Sequence, residues 1–437
     1  MTESNSPQDC ICDATPEETS QPLFAFRGGK ALTSEELQAH LAALIHLENV
    51  GVLLGAGCSA GAVGGMTMKQ LWELFVQEYN HSFVWLKDKG FLTDELKVSV
   101  GIYNVEKLLD SLEIAQKEWQ RQGKTILVKT LKTAKDDVYR SVIRAALLEK
   151  DWWTSPNLAF ESDKLKPHRT LLQRITSSRQ PGQCSPSIFT ANYDLAVEWA
   201  AESMGLRVMN GFDGTHYRVF SPHSFDLGLS NMLARGEARF GTYGIYLSKL
   251  HGSLSWKLAS NQEDYLEVSC TQAWSGIESF LNGSNSKKQF APIVFPSAAK
   301  YMQTVGFVLG ELFRRFTEFL SRPQTCLMII GYSFSDDHLN LVLTRALQNP
   351  TLQIVICIPE ADVVDGKLDY QKCNRWIKNL GLLELPQVTI IATPSGAYFE
   401  NFVSFLPDPV IYDKYAQEIK KVLADIRRNV IDPSGNP

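Results

Sequence analysis

Residues 51–61 have the sequence GVLLGAGCSAG, in which apolar residues lead directly into a glycine-rich turn. The apolar run at 50–54 predicts a buried strand, and the apolar spacing in TMKQLWELFVQEY, residues 67–79, predicts a helix after the turn. A strand, a glycine turn and a helix form the opening half of a βαβ unit. This stretch therefore predicts an α/β fold.

Apolar strands and amphipathic helices alternate through much of the remaining chain. Strands are predicted in PSIFTANYD, LRVMNGF, GIYLSKLHG, CLMIIGYSF, LQIVICIPE and VTIIAT, and a long helix is predicted at 301–320. Continuous apolar strands between amphipathic helices are typical of a parallel sheet that is buried on both faces. The predicted fold class is therefore α/β, with a Rossmann-like parallel sheet covered by helices on both faces.

The composition varies along the chain and predicts its domain organisation. Residues 1–30 begin with a polar, acidic stretch that predicts a disordered N-terminal arm, and residues 31–430 are predicted to form the Rossmann-like domain. Residues 80–166 are helical and charged, and this stretch is too long for a simple crossover, so it predicts an inserted helical module. An amphipathic helix is expected at 412–428, followed by a C-terminal tail at 431–437.

Composition and charge argue against several classes of protein. Lys and Arg number 43 against 48 Asp and Glu, a net charge of −5, so no generally basic surface for nucleic acid is expected. The lysine-rich stretch 124–135 leaves direct DNA binding open. Neither a membrane span nor a signal peptide is apparent. Cysteines that lie singly in apolar segments indicate a reduced, cytoplasmic protein, and without a Cys-x-x-Cys pair we expect no metal site.

The glycine turn is the first candidate binding element. Gly55 and Gly57 would let the backbone approach a pyrophosphate, Ser59 could add a hydroxyl donor, and the next helix start would offer free amides. The turn is not a P-loop, and it departs from the redox fingerprint G-x-G-x-x-G because Ala60 occupies the third glycine position. A purely structural tight turn remains the alternative.

Polar residues follow a second predicted strand in FTANYD. Thr190, Asn192 and Asp194 fall at its carboxyl end, where open α/β sheets bind ligands, and strand alternation would point all three side chains the same way. They would then form the floor of a polar pocket. The alternative is that Asn192 or Asp194 caps the helix that follows.

Three further strand ends carry residues that could contact a ligand. His251 precedes Gly252 at the end of one predicted strand, although a lone histidine is more often structural than catalytic. Gly331 and Ser333 end another strand, and Glu360 after the next strand could reach an adenosine hydroxyl. The sequence Asp336-Asp337-His338 (DDH) is expected to begin a helix, since acidic residues favour that end.

The order of these motifs, G-A-G-x-S, T-x-N-x-D, H-G and G-x-S, resembles the sirtuin family over residues 45–393. The resemblance implies a Rossmann-type fold that binds NAD+ and consumes it as a substrate. It implies a pyrophosphate site at Gly55, Ala56, Gly57 and Ser59, with Thr190 also in contact with the cofactor. It also implies that Asn192 and Asp194 face the nicotinamide end, that His251 is the general base, and that Gly331 and Ser333 contact the adenosine side.

The chain departs from the sirtuin deacylases at three places. Ala191 stands where they have Gln, no Pro-x-Phe-Arg segment follows the glycine turn, and no four-cysteine zinc module follows His251. That module completes their acyl-lysine cleft, so protein deacylation is not expected here.

FTANYDLAVE, KLHGSLSW and IIGYSFSDDHLN are similar instead to the sirtuin-like domains of bacterial anti-phage defence systems. That resemblance implies hydrolysis of NAD+ to nicotinamide and ADP-ribose, a homo-oligomer, and a HerA-type ATPase as partner. Two alternatives remain from the sequence: a subunit that senses NAD+ or ADP-ribose without cleaving it, and a DNA-associated assembly subunit.

Overall fold

The computed structural model describes residues 24–408, apart from 100–101, 181, 229, 231, 234, 237–242, 260–263 and 284–304. The strands of this part of the chain are β1 (Ala25–Arg27), β2 (Lys30–Leu32), β3 (Asn49–Leu54), β4 (Lys97–Ser99), β5 (Ile102–Tyr103), β6 (Ser187–Thr190), β7 (Arg207–Met209), β8 (Phe212–Asp213), β9 (Arg218–Phe220), β10 (Gly244–Lys249), β11 (Trp256–Leu258), β12 (Tyr265–Glu267), β13 (Thr325–Ile330), β14 (Leu352–Ile358), β15 (Asp362–Val364), β16 (Lys367–Asp369) and β17 (Val388–Ala392).

The helices of the described residues are α1 (Ser34–Ile45), α2 (Met68–Glu78), α3 (Asn80–Asp88), α4 (Val105–Arg121), α5 (Thr125–Ala146), α6 (Asp151–Thr154), α7 (Asn157–Glu161), α8 (Lys166–Ser177), α9 (Ala196–Ser203), α10 (Cys270–Leu281), α11 (Val305–Ser321), α12 (Asp337–Ala346), α13 (Arg375–Gly381), α14 (Thr393–Ala397) and α15 (Phe399–Phe405). The helix predicted at 412–428 and the tail at 431–437 lie outside the described residues. None of these helices is long and apolar enough to cross a membrane.

A nine-stranded sheet organises the described residues, in the order β2-β1-β17-β14-β13-β3-β6-β10-β7. The seven strands from β17 to β7 are parallel to one another. Their continuous apolar sequences reflect burial on both faces, as β3, β13 and β17 are buried at every position. The prediction of a Rossmann-like α/β fold is confirmed.

The sheet extends further towards the N-terminus than the sequence indicated. β1 pairs antiparallel with β17, and β2 pairs with β1, so the sheet begins before residue 30, where we predicted the arm to end. Phe24 and Ala25 are buried in the core, which explains why these residues join the sheet. Residues 1–23 of the predicted arm lie outside the described residues.

Helices cover both faces of the sheet, and each face has its own apolar core. α11, α12 and α13 pack on one face around Phe316, while α1, α8, α9 and α15 pack on the other around Phe402. Both phenylalanines are fully buried. α1 begins at a capping box, in which the Thr33 hydroxyl accepts from the Glu36 amide and the Glu36 carboxylate accepts from the Thr33 amide.

The stretch 80–166 contains α3 to α7 and a short β4–β5 hairpin, and it has a third apolar core. That core also includes side chains of α2, α9 and α10, among them Trp199, whose ring contacts Trp152 and Trp153 edge-on. Aromatic contacts of this kind add to the free energy gained by burial alone. The helical module is therefore packed onto the Rossmann core through α9.

Gly51 offers a test of how tightly β3 packs against α11. A Cβ atom at this position would lie 2.5 Å from the Phe319 ring. We therefore expect Gly51→Ala to lower the free energy of unfolding by about 1–3 kcal/mol, the usual cost of overpacking a core. The measurement is the Tm of the full chain.

Gly310 provides the matched control, because a Cβ at this helical position would meet nothing within 4 Å. We expect Gly310→Ala to leave the Tm unchanged or slightly raised. The double variant Gly51→Ala/Phe319→Leu should lose less stability than the sum of its single changes. A Gly51→Ala protein as stable as the wild type would contradict this description of the core.

Candidate active site at the carboxyl ends of the strands

The four central strands end at the same level, which brings the predicted motifs to one edge of the sheet. Leu54 of β3 is paired in register with both Thr190 of β6 and Ile330 of β13, and Thr190 is paired in register with Lys249 of β10. The segments that follow these residues carry the glycine turn, Asn192, Gly331 and His251. The structure therefore brings together motifs that are separated by up to 276 residues, from Gly55 to Gly331.

The glycine turn packs backbone to backbone against Gly331. The Gly57 amide donates to the Gly331 carbonyl at 2.9 Å, and a Cβ on Gly55 would lie 2.3 Å from that carbonyl oxygen. Gly331 itself has φ +63°, and a Cβ there would meet the Cys58 amide nitrogen at 2.6 Å. All three positions therefore require glycine to join the ends of β3 and β13, whether or not a ligand binds.

The amides of the turn are less available than the sequence suggested. Those of Gly55 and of residues 57–60 donate to backbone carbonyls, so in the described residues only the Ala56 amide of segment 55–60 has no partner. The next α-helix does not contribute free amides, because α2 begins only at Met68 and its start is satisfied by a capping box from Thr67. The helix predicted in residues 67–79 is present as α2, but 3₁₀ turns at Ala56–Cys58 and Gly61–Val63 separate it from the glycine turn.

Asn192 is held in place by groups that we had predicted to bind the ligand themselves. Its Nδ2 atom donates to the Gly55 carbonyl at 3.0 Å and to the Ser59 hydroxyl at 3.1 Å. Its backbone amide donates to Thr190 Oγ1, whose hydroxyl donates to the Leu54 carbonyl. Ser59 and Thr190 are buried, so they orient Asn192, which is itself partly exposed.

Asp194 contacts the start of α9, although the N-cap residue of that helix is Leu195. β6 ends at Thr190, so strand alternation does not continue to Asp194, and the residue is buried. Its carboxylate accepts a hydrogen bond from the Ala196 amide at 3.0 Å, the first residue of α9. Burial, and secondly the charge of Asp194, raise the pKa of the Cys58 thiol in the glycine turn.

A buried ion pair supports the segments that carry Asn192 and His251. Lys249, the last residue of β10, pairs with Glu198 of α9 at 2.9 Å, and its ammonium also donates to the Asp194 carbonyl. Burial raises the pKa of the Glu198 carboxyl, and Lys249 opposes that effect. Removal of one partner would leave a buried charge alone, which is strongly destabilising. The pair therefore ties the end of β10 to α9 and to the segment that follows Asn192.

His251 is buried and forms a pair that the sequence analysis missed. Its Nε2 atom lies 2.9 Å from Asp336 Oδ2, and both residues are less than 10% exposed. Asp336 does begin a helix as predicted, since its Oδ1 accepts from the amides of His338 and Leu339 at the start of α12. Burial acts to raise the pKa of the Asp336 carboxyl, but its hydrogen bonds and the charge of His251 outweigh burial and hold that pKa below its ordinary value.

A cavity of about 910 Å³ opens beside these strand ends. One wall comes from the helical module, including Leu96, Tyr103 and Lys107, and the opposite wall comes from α12 and α13 with Trp376. Tyr193 and Ser333 lie at the side nearest the strand ends, and Ser333 alone among the predicted site residues lines the cavity. The Tyr193 ring is 6.4 Å from the His251 ring, so the cavity lies next to the candidate base.

The helical module and the Rossmann core also meet through an ion pair across this cavity. Lys107 of α4 lies 3.0 Å from Asp337 of α12, and both residues line the cavity. The pair is exposed to solvent, so it contributes little stability. It does mark where the two walls approach each other.

Ser333 and Glu360, the two residues predicted to contact the adenosine half, lie at the surface. Ser333 is exposed and its hydroxyl lies 2.9 Å from that of Ser335, while Glu360 is exposed just after β14. In the part of the chain that the structure describes, no group of three or more His, Cys, Asp or Glu residues is arranged to hold a metal ion.

Comparison with known proteins gives a family match for the segment that contains Asn192 and His251. Residues 186–383 match the model of the SIR2-like domain family, and no curated protein matches the chain. The match includes Asn192, His251 and Asp336, whereas the glycine turn lies before it. SIR2-like domains are often NAD-dependent enzymes, so the match supports a sirtuin-like domain with an activity related to NAD.

Proposed function

We propose that this chain is an NAD+ glycohydrolase, which cleaves NAD+ to nicotinamide and ADP-ribose. The observation that carries the proposal is the placement of Asn192 and His251 at the ends of two paired strands. Each of these residues is held by a buried partner, and both lie in the segment that matches the SIR2-like domain. The adjoining cavity of about 910 Å³ lies within the usual size range of small-molecule sites.

The proposed reaction breaks the bond between ribose C1 and the nicotinamide nitrogen and forms a bond from C1 to a water oxygen. The nicotinamide ring is cationic while attached, so it leaves as a neutral molecule with the bonding electrons, and the reaction needs neither a general acid nor a metal ion. The transition state has oxocarbenium character at C1. Orientation of the water and the ribose is then the main contribution available to the protein.

Asn192 and His251 are suited to that task. The Asn192 amide nitrogen is fixed by Gly55 and Ser59, which leaves its carbonyl oxygen to accept a hydrogen bond from the ribose or from the attacking water. His251 would accept the proton of the water, as neutral imidazole does near pH 7. The negative charge of buried Asp194 favours the developing cation.

Ala56 is the best-placed residue of the glycine turn for the pyrophosphate. It is exposed, and its amide has no partner in the described residues. Ser333 and, further along the edge, Glu360 are the exposed residues available for the adenosine half. The other turn residues serve mainly to place Ala56 and Asn192.

We further propose that the activity serves bacterial anti-phage defence through NAD+ depletion, in a homo-oligomer that works with a HerA-type ATPase. This proposal is supported by the resemblance of FTANYDLAVE and KLHGSLSW to such domains. It is tested by comparing the rate of nicotinamide release from the chain alone and with any ATPase that is encoded beside its gene. Equal rates, with no complex on size-exclusion chromatography, would contradict the partnership.

Removal of either candidate side chain should abolish turnover without unfolding the protein. We expect Asn192→Ala and His251→Ala each to lower the rate of nicotinamide release at least about 100-fold, as loss of positioning or of a general base does. His46→Ala, which changes an exposed histidine outside the candidate site, should keep the wild-type rate. Wild-type rates in both site variants would show that the site is elsewhere.

The pyrophosphate role is better tested at Ala56 than at Gly57, because a side chain on Gly57 would collide with Gly331. A carboxylate introduced by Ala56→Asp should repel the pyrophosphate and raise the Kd for NAD+ by about tenfold or more, equivalent to about 1.4 kcal/mol. Ala56→Ser is the uncharged control, and isothermal titration calorimetry measures both. An unchanged Kd in Ala56→Asp, with an unchanged Tm, would remove the turn from the binding site.

A further inference from the structure

The cavity of about 910 Å³ is largely separate from the residues of the proposed NAD+ site. It is not lined by the glycine turn, Asn192, His251 or Glu360, and Ser333 is the one residue that the two share. Its walls are the helical module on one side and α12 with α13 on the other. A ligand on the α13 wall would therefore contact residues that the proposed reaction does not use.

Arg375 of α13 offers a positive charge to this cavity. It is exposed, and within the residues that the structure describes its guanidinium makes neither an ion pair nor a hydrogen bond. The other two cations on the walls, Lys97 and Lys107, are each paired with an acidic residue. Glu95, an acid without such a pair, lies on the module side, across from α13. Arg375 is therefore available to an anion, and its planar guanidinium can bind a phosphate through two parallel hydrogen bonds.

Trp376 provides a flat aromatic surface beside that charge. Its ring stacks on Phe334 with centroids 4.8 Å apart and an angle of 11° between the planes, and its Nε1 donates to Thr344 Oγ1 at 2.9 Å. These contacts fix the orientation of the indole, which is partly exposed and lines the cavity together with both partners. A fixed aromatic ring of this kind is suited to stack on the face of a nucleobase.

The positions of these residues on α13 set the shape of a ligand. Consecutive residues of a helix point about 100° apart, so Arg375 and Trp376 address different parts of a bound molecule. Asn379 is four residues after Arg375 and lies on the same side of the helix, where it is exposed and lines the cavity. The wall thus offers an aromatic face beside hydrogen-bond donors, which matches a base and a phosphate that are separated by a sugar.

We propose that the α13 wall of the cavity is a binding site for a nucleotide, separate from the NAD+ site, in which the base stacks on Trp376 and the phosphate binds Arg375 and Asn379. The cavity has room for such a ligand, since small-molecule sites range from about 300 to 1,000 Å³. The inference goes beyond the proposed function and does not depend on it, because it uses none of the residues assigned to the cleavage of NAD+.

Isothermal titration calorimetry of the full-length protein tests the site with AMP, GMP, CMP and UMP. The corresponding nucleosides lack the phosphate, and ribose 5-phosphate lacks the base. We expect at least one nucleotide to bind with a Kd below about 1 mM, and its nucleoside and ribose 5-phosphate to bind at least about tenfold more weakly. Failure of all four nucleotides to bind, or equal binding of ribose 5-phosphate, would overturn the proposal.

Variants of the α13 wall locate the bound nucleotide. We expect Arg375→Ala and Trp376→Leu each to raise its Kd about tenfold or more, as loss of a charged hydrogen bond or of a stacked base does. Trp376→Phe keeps an aromatic face and should retain most of the affinity. Arg345→Ala is the matched control, since this exposed arginine of α12 does not line the cavity.

Two results with these variants would overturn the proposal. One is wild-type affinity in Arg375→Ala, which changes an exposed, unpaired side chain and should leave the Tm unchanged. The other is an equal loss of affinity in Arg345→Ala, which would show attraction by surface charge in general.

NAD+ distinguishes a separate site from an extension of the NAD+ site. The Kd for NAD+ is measured in the His251→Ala background, so that NAD+ is not consumed, with and without Arg375→Ala. We expect the same Kd in both proteins, whereas a rise as large as that for the nucleotide would assign the cavity to NAD+ and overturn the proposal. If the wild type neither binds nor cleaves NAD+, the proposed function fails, while the nucleotide titrations still decide whether the cavity binds a nucleotide.

Discussion

The close approach of two backbone turns is the constraint on which the candidate site depends. The ends of β3 and β13 meet through Gly55, Gly57 and Gly331, with no side chain between them. A Cβ at any of these positions would come within 3 Å of backbone atoms of the opposite segment. This contact places the glycine turn beside Asn192 on one side and sets the position of Asp336 on the other.

A second layer of buried polar groups turns that frame into a defined arrangement of side chains. Thr190 and Ser59 fix Asn192, Asp336 contacts His251, and Lys249 with Glu198 holds the supporting strand against α9. Burial of polar groups is costly unless they are hydrogen-bonded, so these contacts favour a single geometry, although Glu198 Oε2 is buried without a partner in the described residues. A pre-organised site of this kind suits a reaction that depends mainly on the orientation of water and ribose.

The fold could be predicted from the sequence because apolar strands and amphipathic helices have distinct periodicities. The motifs fell at the carboxyl ends of predicted strands, and the register of the sheet places those ends side by side. The site was predicted less completely. Asp336 was missed as a partner of His251 because helix capping already accounts for an acidic residue there, and the contact joins residues 85 apart. The sequence did not predict that Ser59 and Thr190 hold Asn192, because it shows neither the burial nor the hydrogen-bond partner of a side chain. The cavity wall formed by Tyr103 and Lys107 depends on how the helical module packs, which periodicity does not encode.

The central claim is that the chain hydrolyses the glycosidic bond of NAD+, and product stoichiometry tests it most directly. Purified protein is incubated with NAD+, alone and with its candidate ATPase partner, and all products are quantified by ¹H NMR. The account predicts one nicotinamide and one ADP-ribose for each NAD+ consumed. NAD+ that is bound but recovered intact, or nicotinamide that appears without an equal amount of ADP-ribose, would contradict it.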